Sequence, residues 1–226
     1  MKIEITYYRK HDIAGRMYPR GPALAKLPRE ARTAAGNGRF FDFDINLAHP
    51  TLLLEASLRK CGKTSVLTTF PIFRKYVANY KTWRLCVSTY AGVSIKEAKK
   101  SLGKLCYGGM PDYNLPFMWA LWGEMQAAAR ILLADTEFHY LDDYFADRKH
   151  PEKTRLFYAI SKLEDAALMR AAGDFLDGFG GSHLNCFIYD GFIGITPPDV
   201  EDAAIVELAA SMSEDNVVVW SVDRLG

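Results

Sequence analysis

The chain has 226 residues, about half of them hydrophobic, and its 28 Lys/Arg nearly balance its 27 Asp/Glu. That is the composition of an ordered globular protein with ample material for a core, and it excludes a low-complexity chain. No apolar run approaches the roughly 18 residues of a membrane span, and the opening stretch MKIEITYYRKHD lacks the apolar centre of a signal peptide. A cytoplasmic protein with no membrane partner is therefore expected.

Four cysteines (Cys61, Cys86, Cys106 and Cys186) are widely spaced and form no C-x-x-C pair. This excludes the usual zinc frameworks and argues against a disulfide scaffold; buried or half-buried thiols are expected. The near-zero net charge conceals an asymmetry. Residues 1–110 carry 20 Lys/Arg against 7 Asp/Glu, and residues 111–226 carry 8 against 20. Either one half faces a polyanion, or the two halves neutralise one another across the fold.

In chain order, residues 1–9 alternate like an edge strand. Residues 11–22, with Gly15, Pro19, Gly21 and Pro22, read as a loop. The segment ALAKLPREARTAAG gives short helical pieces broken at Pro28. Residues 39–45 read as a strand, residues 46–49 as a turn, and Pro50 suits the first turn of a helix running to about residue 60. Residues 64–101 are mostly helical. Within SIKEAKKSLGKLCYGG, Ser94 and Glu97 form a capping-box signature, and Gly108-Gly109 is a natural stop. Residues 116–134 and 152–178 are further helices, the first continuously apolar and expected to be buried. HLNCFIYDGFIGITPP reads as two strands around a turn at Asp190-Gly191. A helix after Asp199 and a last strand in NVVVWSVDR complete an α+β chain with an antiparallel sheet.

Asp42 and Asp44 sit inside the strand FFDFDI, where a sheet prefers apolar residues. In an alternating strand they share one face, with Phe41, Phe43 and Ile45 on the other. A hairpin laid beside that strand brings Asp190 next to Asp44. Convergent carboxylates form a hard-oxygen site suited to Mg²⁺, and two such ions can clamp a phosphoryl transfer. Such carboxylates repel unless a cation neutralises them. Each signal alone also fits a turn or edge aspartate.

Order and spacing together resemble the palm and fingers of a nucleic-acid polymerase of the DNA polymerase I (family A) group. In that family a Gly-Arg and a Pro-x-Leu-x-x-x-Pro stretch precede the first catalytic aspartate. Gly15-Arg16 and Pro22 to Pro28 follow that layout, with Arg29 and Arg32 behind them, and Asp44 matches the aspartate of motif A. The run from Asp44 through His49-Pro50-Thr51 is also similar to a family B motif. For motif B, Lys99 takes the lysine position of family A and Lys100 that of family B, with Tyr107-Gly108 as the Tyr-Gly. The family A arginine falls on Ile95 and its phenylalanine on Gly103. Motif C keeps Asp190 but has Gly191 in place of the glutamate, and Glu164 or Lys162 falls near a helix residue that touches primer-template. The resemblance implies an antiparallel palm sheet (residues 1–55 and 155–226) with a helical fingers insertion (56–154). It leaves no room for a proofreading exonuclease or an obvious thumb.

The resemblance also implies roles. Asp44 and Asp190 would hold two Mg²⁺ ions, Mn²⁺ being a possible substitute, with Asp42 a third ligand or a same-face neighbour. Lys99 or Lys100 would neutralise the β/γ-phosphates. Arg16, Arg29 and Arg32 would contact the DNA template-primer backbone or the nucleoside triphosphate, or else form a solvated basic surface. His49 would sense the sugar 2′ position or serve as a turn histidine, and Tyr107 would lie near sugar and base. The aromatic run Phe70, Phe73, Tyr76, Tyr80 and Trp83 reads as a core stripe in preference to base stacking. The expected activity is that of a DNA-directed DNA polymerase of reduced phage, viral or plasmid type, working in host cytoplasm if phage or viral, with a partner that supplies a thumb or clamp. RNA synthesis or priming on the same palm, a non-catalytic nucleic-acid-binding relic and a metal nuclease are the alternatives.

Overall fold

The computed structural model describes residues 7–9, 17–20, 24–36, 38–62, 69–188, 190–213 and 218–225, the side chains of 8, 9, 17, 18, 25 and 29 excepted. In chain order its elements are β1 (Tyr7–Arg9), β2 (Met17–Pro19), a 3₁₀ turn (Leu24–Lys26), α1 (Arg29–Gly36), β3 (Phe40–Ile45), α2 (Ala48–Cys61), α3 (Pro71–Ala78), α4 (Tyr80–Ala91), α5 (Ile95–Cys106), α6 (Pro116–Leu133), a 3₁₀ turn (Thr136–Phe138), α7 (Tyr140–Tyr144), α8 (Pro151–Gly178), β4 (His183–Ile188), β5 (Gly191–Ile195), α9 (Asp202–Ser211) and β6 (Trp220–Leu225). The chain is α+β, with a four-stranded antiparallel sheet in the order β4-β5-β3-β6. Among the described residues no helix is long and apolar enough to cross a membrane.

The chain divides into two compact units: residues 1–48 with 161–226, and residues 49–160. The sheet belongs to the first. Its central strand β3 has Phe41, Phe43 and Ile45 buried on one face, while Asp42 is half-buried and Asp44 exposed on the other, the alternation that strand geometry requires. Phe43 stands in register with Phe192 of β5, and their rings stack with centroids 4.7 Å apart and planes 10° from parallel. Phe175 of α8 meets Phe43 edge-on at 5.3 Å, and Trp220 of β6 lies 6.1 Å from Phe192. Each fully buried Phe contributes about 1.5–3 kcal/mol by leaving water. The opposite face is apolar at its other end, where Cys186, Ile188, Ile193 and Leu225 cluster with Phe40, Tyr7 and Leu24.

The β4–β5 turn differs from expectation by one residue. Asp190 lies in the turn, and Gly191 already belongs to β5, paired with Asp44. A Cβ at residue 191 would stand 2.0 Å from the Phe43 carbonyl oxygen. Only glycine allows the strand backbones this approach. Leu47 takes a left-handed φ of 53° where the chain leaves β3 for α2, and the preceding Asn46 N–H donates to Val219 O at 2.9 Å. Contrary to the loop expected over 11–22, Met17–Pro19 pairs with Tyr7–Arg9 as a small antiparallel ribbon. The last strand begins at Trp220, later than the valine run implies.

The second unit is helical. The mostly helical stretch expected over 64–101 contains, among the described residues, α3, α4 and the start of α5, and the break at Gly92 has a left-handed φ of 66°. Helix α6 buries Met118, Leu121, Met125, Ala128, Ala129 and Leu132 but exposes Trp119 and Arg130, so the buried apolar helix is in fact one-faced. Ser57 Oγ ties α2 to α6 by donating to Ala128 O at 3.0 Å, and Glu124 of α6 accepts from the Phe73 N–H at 2.7 Å, serving the α3 N-terminus. Phe73 and Tyr76 are core residues, whereas the Arg84 guanidinium covers the Tyr80 ring at 4.5 Å. Cys106 is buried and its thiol pKa pushed well up by desolvation; Cys186 is also buried, and Cys61 and Cys86 are half-buried, all four free.

Phe43→Ala is expected to lower unfolding stability by about 3–5 kcal/mol in urea titrations, because ring burial and a cavity are both at stake. Gly191→Ala should also destabilise, although it adds only one methyl group; unchanged stability would show that β5 can move away from β3.

Candidate active site

Asp44 and Asp190 come together where β3, β5 and the β4–β5 turn meet. Register pairing puts Asp44 opposite Gly191, and the Ile45 N–H donates to the Asp190 carbonyl at 3.1 Å. That bond fixes Asp190 against β3 beside Asp44. Ser221 of β6 donates its hydroxyl to the Asp44 carbonyl at 3.2 Å, holding the strand from the other side.

Asp42, two residues earlier, has a different environment. The Arg32 guanidinium of α1 stands 3.6 Å from its carboxylate, both side chains being largely buried. Asp42 also lies directly opposite Asp223 of β6, an arrangement that is repulsive without a nearby cation. Arg32 thus meets a carboxylate within its own unit. Arg16 lies outside the described residues, as does the side chain of Arg29.

The Asp44 carboxyl has its pKa raised from 3.8 to about 7. Part of the side chain reaches solvent, yet surrounding protein makes desolvation the largest cause. The charges of Asp190, Asp42 and Glu164 add to it, and the Ile45 N–H opposes it. Glu164 is the unanticipated member. It is fully buried on α8, and the sequence assigned it only to the vicinity of a nucleic-acid contact. Its signal was a carboxylate at helical spacing within an apolar stripe, four residues after Ile160 and four before Leu168.

The other site residues belong to the helical unit. Helix α5 starts with a complete capping box. Glu97 N–H donates to Ser94 Oγ at 3.2 Å, and the Ser94 hydroxyl and N–H donate to Glu97 Oε2 at 2.7 and 2.9 Å, in that order of effect holding the Glu97 carboxyl below its usual range. It ends with Gly108 at φ 77°, whose N–H donates to Leu105 O, while Gly109 N–H donates to Lys104 O. Ala98, Ser101, Leu102, Leu105 and Cys106 are buried, which leaves Lys99 and Lys100 on the exposed face. His49 is buried, its Nδ1 2.9 Å from the Tyr107 hydroxyl, and Phe157 borders both rings at 5.8 Å. The histidine and tyrosine are therefore one hydrogen-bonded pair. Among the described residues, no group of three or more His, Cys, Asp or Glu side chains is arranged to hold a metal ion.

The sequence matches no family model. It is 27% identical over 117 residues to a putative helicase, V13, of Sputnik virophage, a match that covers 51% of this chain and 14% of that protein. The fold is similar to the POL domain of Pol1 from M. smegmatis, solved in complex with DNA primer-template and dNTP, with a TM-score of 0.59 at 14% identity. The alignment covers 98% of this chain and 47% of that one. The chain thus has a polymerase-like fold and spans less than half the length of either protein.

A carboxyl with a folded-state pKa above its unfolded value stabilises the fold most when protonated. Asp44 therefore favours folding fully below pH 4, and that contribution is lost as pH rises through about 7. An NMR titration of the Asp44 carboxyl carbon should show a midpoint near 7, and Asp44→Asn should raise stability above neutrality; a midpoint near 4 would remove the carboxylate cluster from consideration.

Proposed function

We propose that the chain is the palm-and-fingers core of a template-dependent nucleotidyltransferase, acting as a DNA-directed DNA polymerase. One observation carries this reading: in a polymerase-like fold, Asp44 and Asp190, far apart in sequence, are neighbours on paired elements of the sheet. Simple phosphate binding gains nothing from crowded carboxylates, whereas metal-assisted phosphoryl transfer requires them. The likeness to a putative viral helicase supports a replicative setting.

Carboxylate oxygens are the donors a hard divalent cation takes, and Asp44, desolvated by the surrounding protein and set among the charges of Asp190, Asp42 and Glu164, gains from such a cation. Asp44 and Asp190 would hold Mg²⁺, or Mn²⁺ in its place, as a pair of ions, with Asp42 as a further ligand. When bound, the ions supply Lewis-acid stabilisation of charge on the phosphoryl oxygens.

The chain's own groups do the rest. Asp44 must lose its proton to act as a ligand, so its raised pKa makes the site work better above neutral pH. Arg32 holds the Asp42 carboxylate in place and offsets its charge. Lys99 and Lys100 offset charge on the triphosphate as pyrophosphate departs. The His49–Tyr107 pair presents a fixed polar edge for reading the sugar 2′ position, and Gly108 ends the helix so that Tyr107 is held at its last turn. Arg16 and Arg29 contribute to the primer-template backbone contact. A protein partner would supply the thumb or clamp.

Extension of a labelled primer with dNTPs and Mg²⁺ tests this reading. Asp44→Asn and Asp190→Asn should each reduce incorporation by about 10²–10³-fold or more with unchanged circular dichroism. Incorporation of NTPs in preference to dNTPs would assign an RNA-synthesising enzyme or primase. DNA binding that is indifferent to Mg²⁺, with no incorporation from either pool, would assign a non-catalytic relic.

A further inference from the structure

The turn that carries Asp190 follows β4, the outer strand of the sheet, and no other described strand pairs with the outer edge of β4. The register of β4 against β5 breaks once. Leu184 faces Gly194 and Cys186 faces Ile193, which leaves Asn185 as the extra residue of a β-bulge. A bulge disrupts the ladder locally, so the end of β4 takes little of its alignment from the start. Beyond it only Cys186, Phe187 and Ile188 remain before the turn, paired with Ile193, Phe192 and Gly191.

The turn is held on its inner side, where the Ile45 N–H donates to the Asp190 carbonyl at 3.1 Å. On the outer side the holder is Tyr7. The Phe187 N–H donates to the Tyr7 hydroxyl oxygen at 2.8 Å, and the two rings meet edge-on with centroids 5.7 Å apart. Tyr7 is itself anchored: it pairs with Pro19 of β2, and with Leu24 and Phe40 it packs on Cys186, Ile188, Ile193 and Leu225. Residues directly opposite in a sheet share a face. The pairings Ile188–Gly191–Asp44 and Cys186–Ile193–Asp42 therefore place this apolar patch on the face of the two aspartates. Burial pushes the Tyr7 phenol up to about 12, so the hydroxyl stays neutral while the carboxylates beside the turn titrate.

We propose that Tyr7 is a positioning residue for Asp190: by accepting the Phe187 N–H, its hydroxyl pins the end of β4 beyond the bulge and sets where the Asp190 turn stands against β3. The role rests on the reading of Asp44 and Asp190 as ligands of a divalent cation. Tyr7 touches neither the cation nor a substrate; it acts through the strand. The hydroxyl is the working part, since a phenylalanine keeps the ring on the same patch but leaves a strand N–H without its acceptor.

The first measurement is on the parent chain. The Phe187 amide should exchange with deuterium at least about tenfold more slowly than an unprotected amide, and exchange at the unprotected rate overturns the proposal. Tyr7→Phe should then speed exchange at Phe187 and at Ile45, whose N–H is bonded to Asp190, about tenfold, with the amides of β6 changing less than about twofold. Binding of Mn²⁺, read by electron paramagnetic resonance, should weaken about tenfold in the same variant. Ser57→Ala, which removes the hydroxyl bonded to the Leu53 and Ala128 carbonyls of the helical unit, is the control for lost stability and should bind Mn²⁺ as the parent does. Uniform acceleration across the sheet overturns the role, and so does unchanged Mn²⁺ affinity in Tyr7→Phe or an equal loss of affinity in Ser57→Ala. Primer extension separates this role from the polymerase. In an active chain, Tyr7→Phe should raise the Mg²⁺ concentration for half-maximal rate about tenfold and leave the rate at saturating Mg²⁺ within about twofold. A parent chain that binds Mn²⁺ in a Tyr7-dependent way without extending a primer leaves the positioning role standing and removes the polymerase. Extension with metal affinity indifferent to residue 7 removes the positioning role alone, and a parent chain that binds no Mn²⁺ removes both.

Discussion

The approach of β5 to β3 at Gly191 is the constraint on which the sheet and its carboxylates depend. With the Phe43 carbonyl filling the space a Cβ would need, the two strands close into a register that no substituted residue permits. The same register stacks Phe43 on Phe192 on one face and brings Asp190 beside Asp44 at the strand end. Core and candidate site are thus two consequences of one pairing. Immediately after Asp190, the backbone at residue 191 leaves no room for any side chain. Acidic charge near Asp44 comes instead from Asp42 on its own strand and from Glu164 on a helix.

The two aspartates of β3 differ in what faces them. Arg32 engages Asp42 within a largely buried pair, while Asp44 is pushed toward the neutral form by desolvation and by the carboxylates it faces. A buried pair holds its geometry because breaking it would strand a charge. A crowded carboxylate gains stability from a proton or a cation. One strand therefore carries an aspartate held by an arginine and, two residues on, one that faces other carboxylates.

Charge also separates along the units of the fold. The sheet unit carries 12 Lys/Arg against 17 Asp/Glu, a net of −5, and the helical unit 16 against 10, a net of +6. The basic half read along the sequence becomes, in three dimensions, a basic helical body. Its α5 face is fixed at both ends, by the capping box at Ser94 and by the Gly108 stop. Strong caps specify which residues are helical, and so which lysines point to solvent.

Local chemistry made much of this legible in advance. Alternation in FFDFDI, the Ser94–Glu97 box, the helix from Pro151 to Gly178 and the hairpin around Asp190 depend on neighbours in sequence, and all appear close to where the sequence implied them. The residue types of the site, its aspartates, lysines, histidine and tyrosine, were likewise evident as candidates. What the sequence left open was pairing across distance. It could not say that Arg32 meets Asp42, that His49 bonds Tyr107, that Glu164 lies buried within reach of Asp44, or that Met17–Pro19 pairs with Tyr7–Arg9. The sequence by itself determined the periodicity, the caps and the placement of carboxylates on one strand face, because those follow from covalent geometry and local hydrogen bonding. The tertiary structure alone decided which charges share a dielectric environment, because desolvation and Coulomb energy depend on distances that only the packed chain defines.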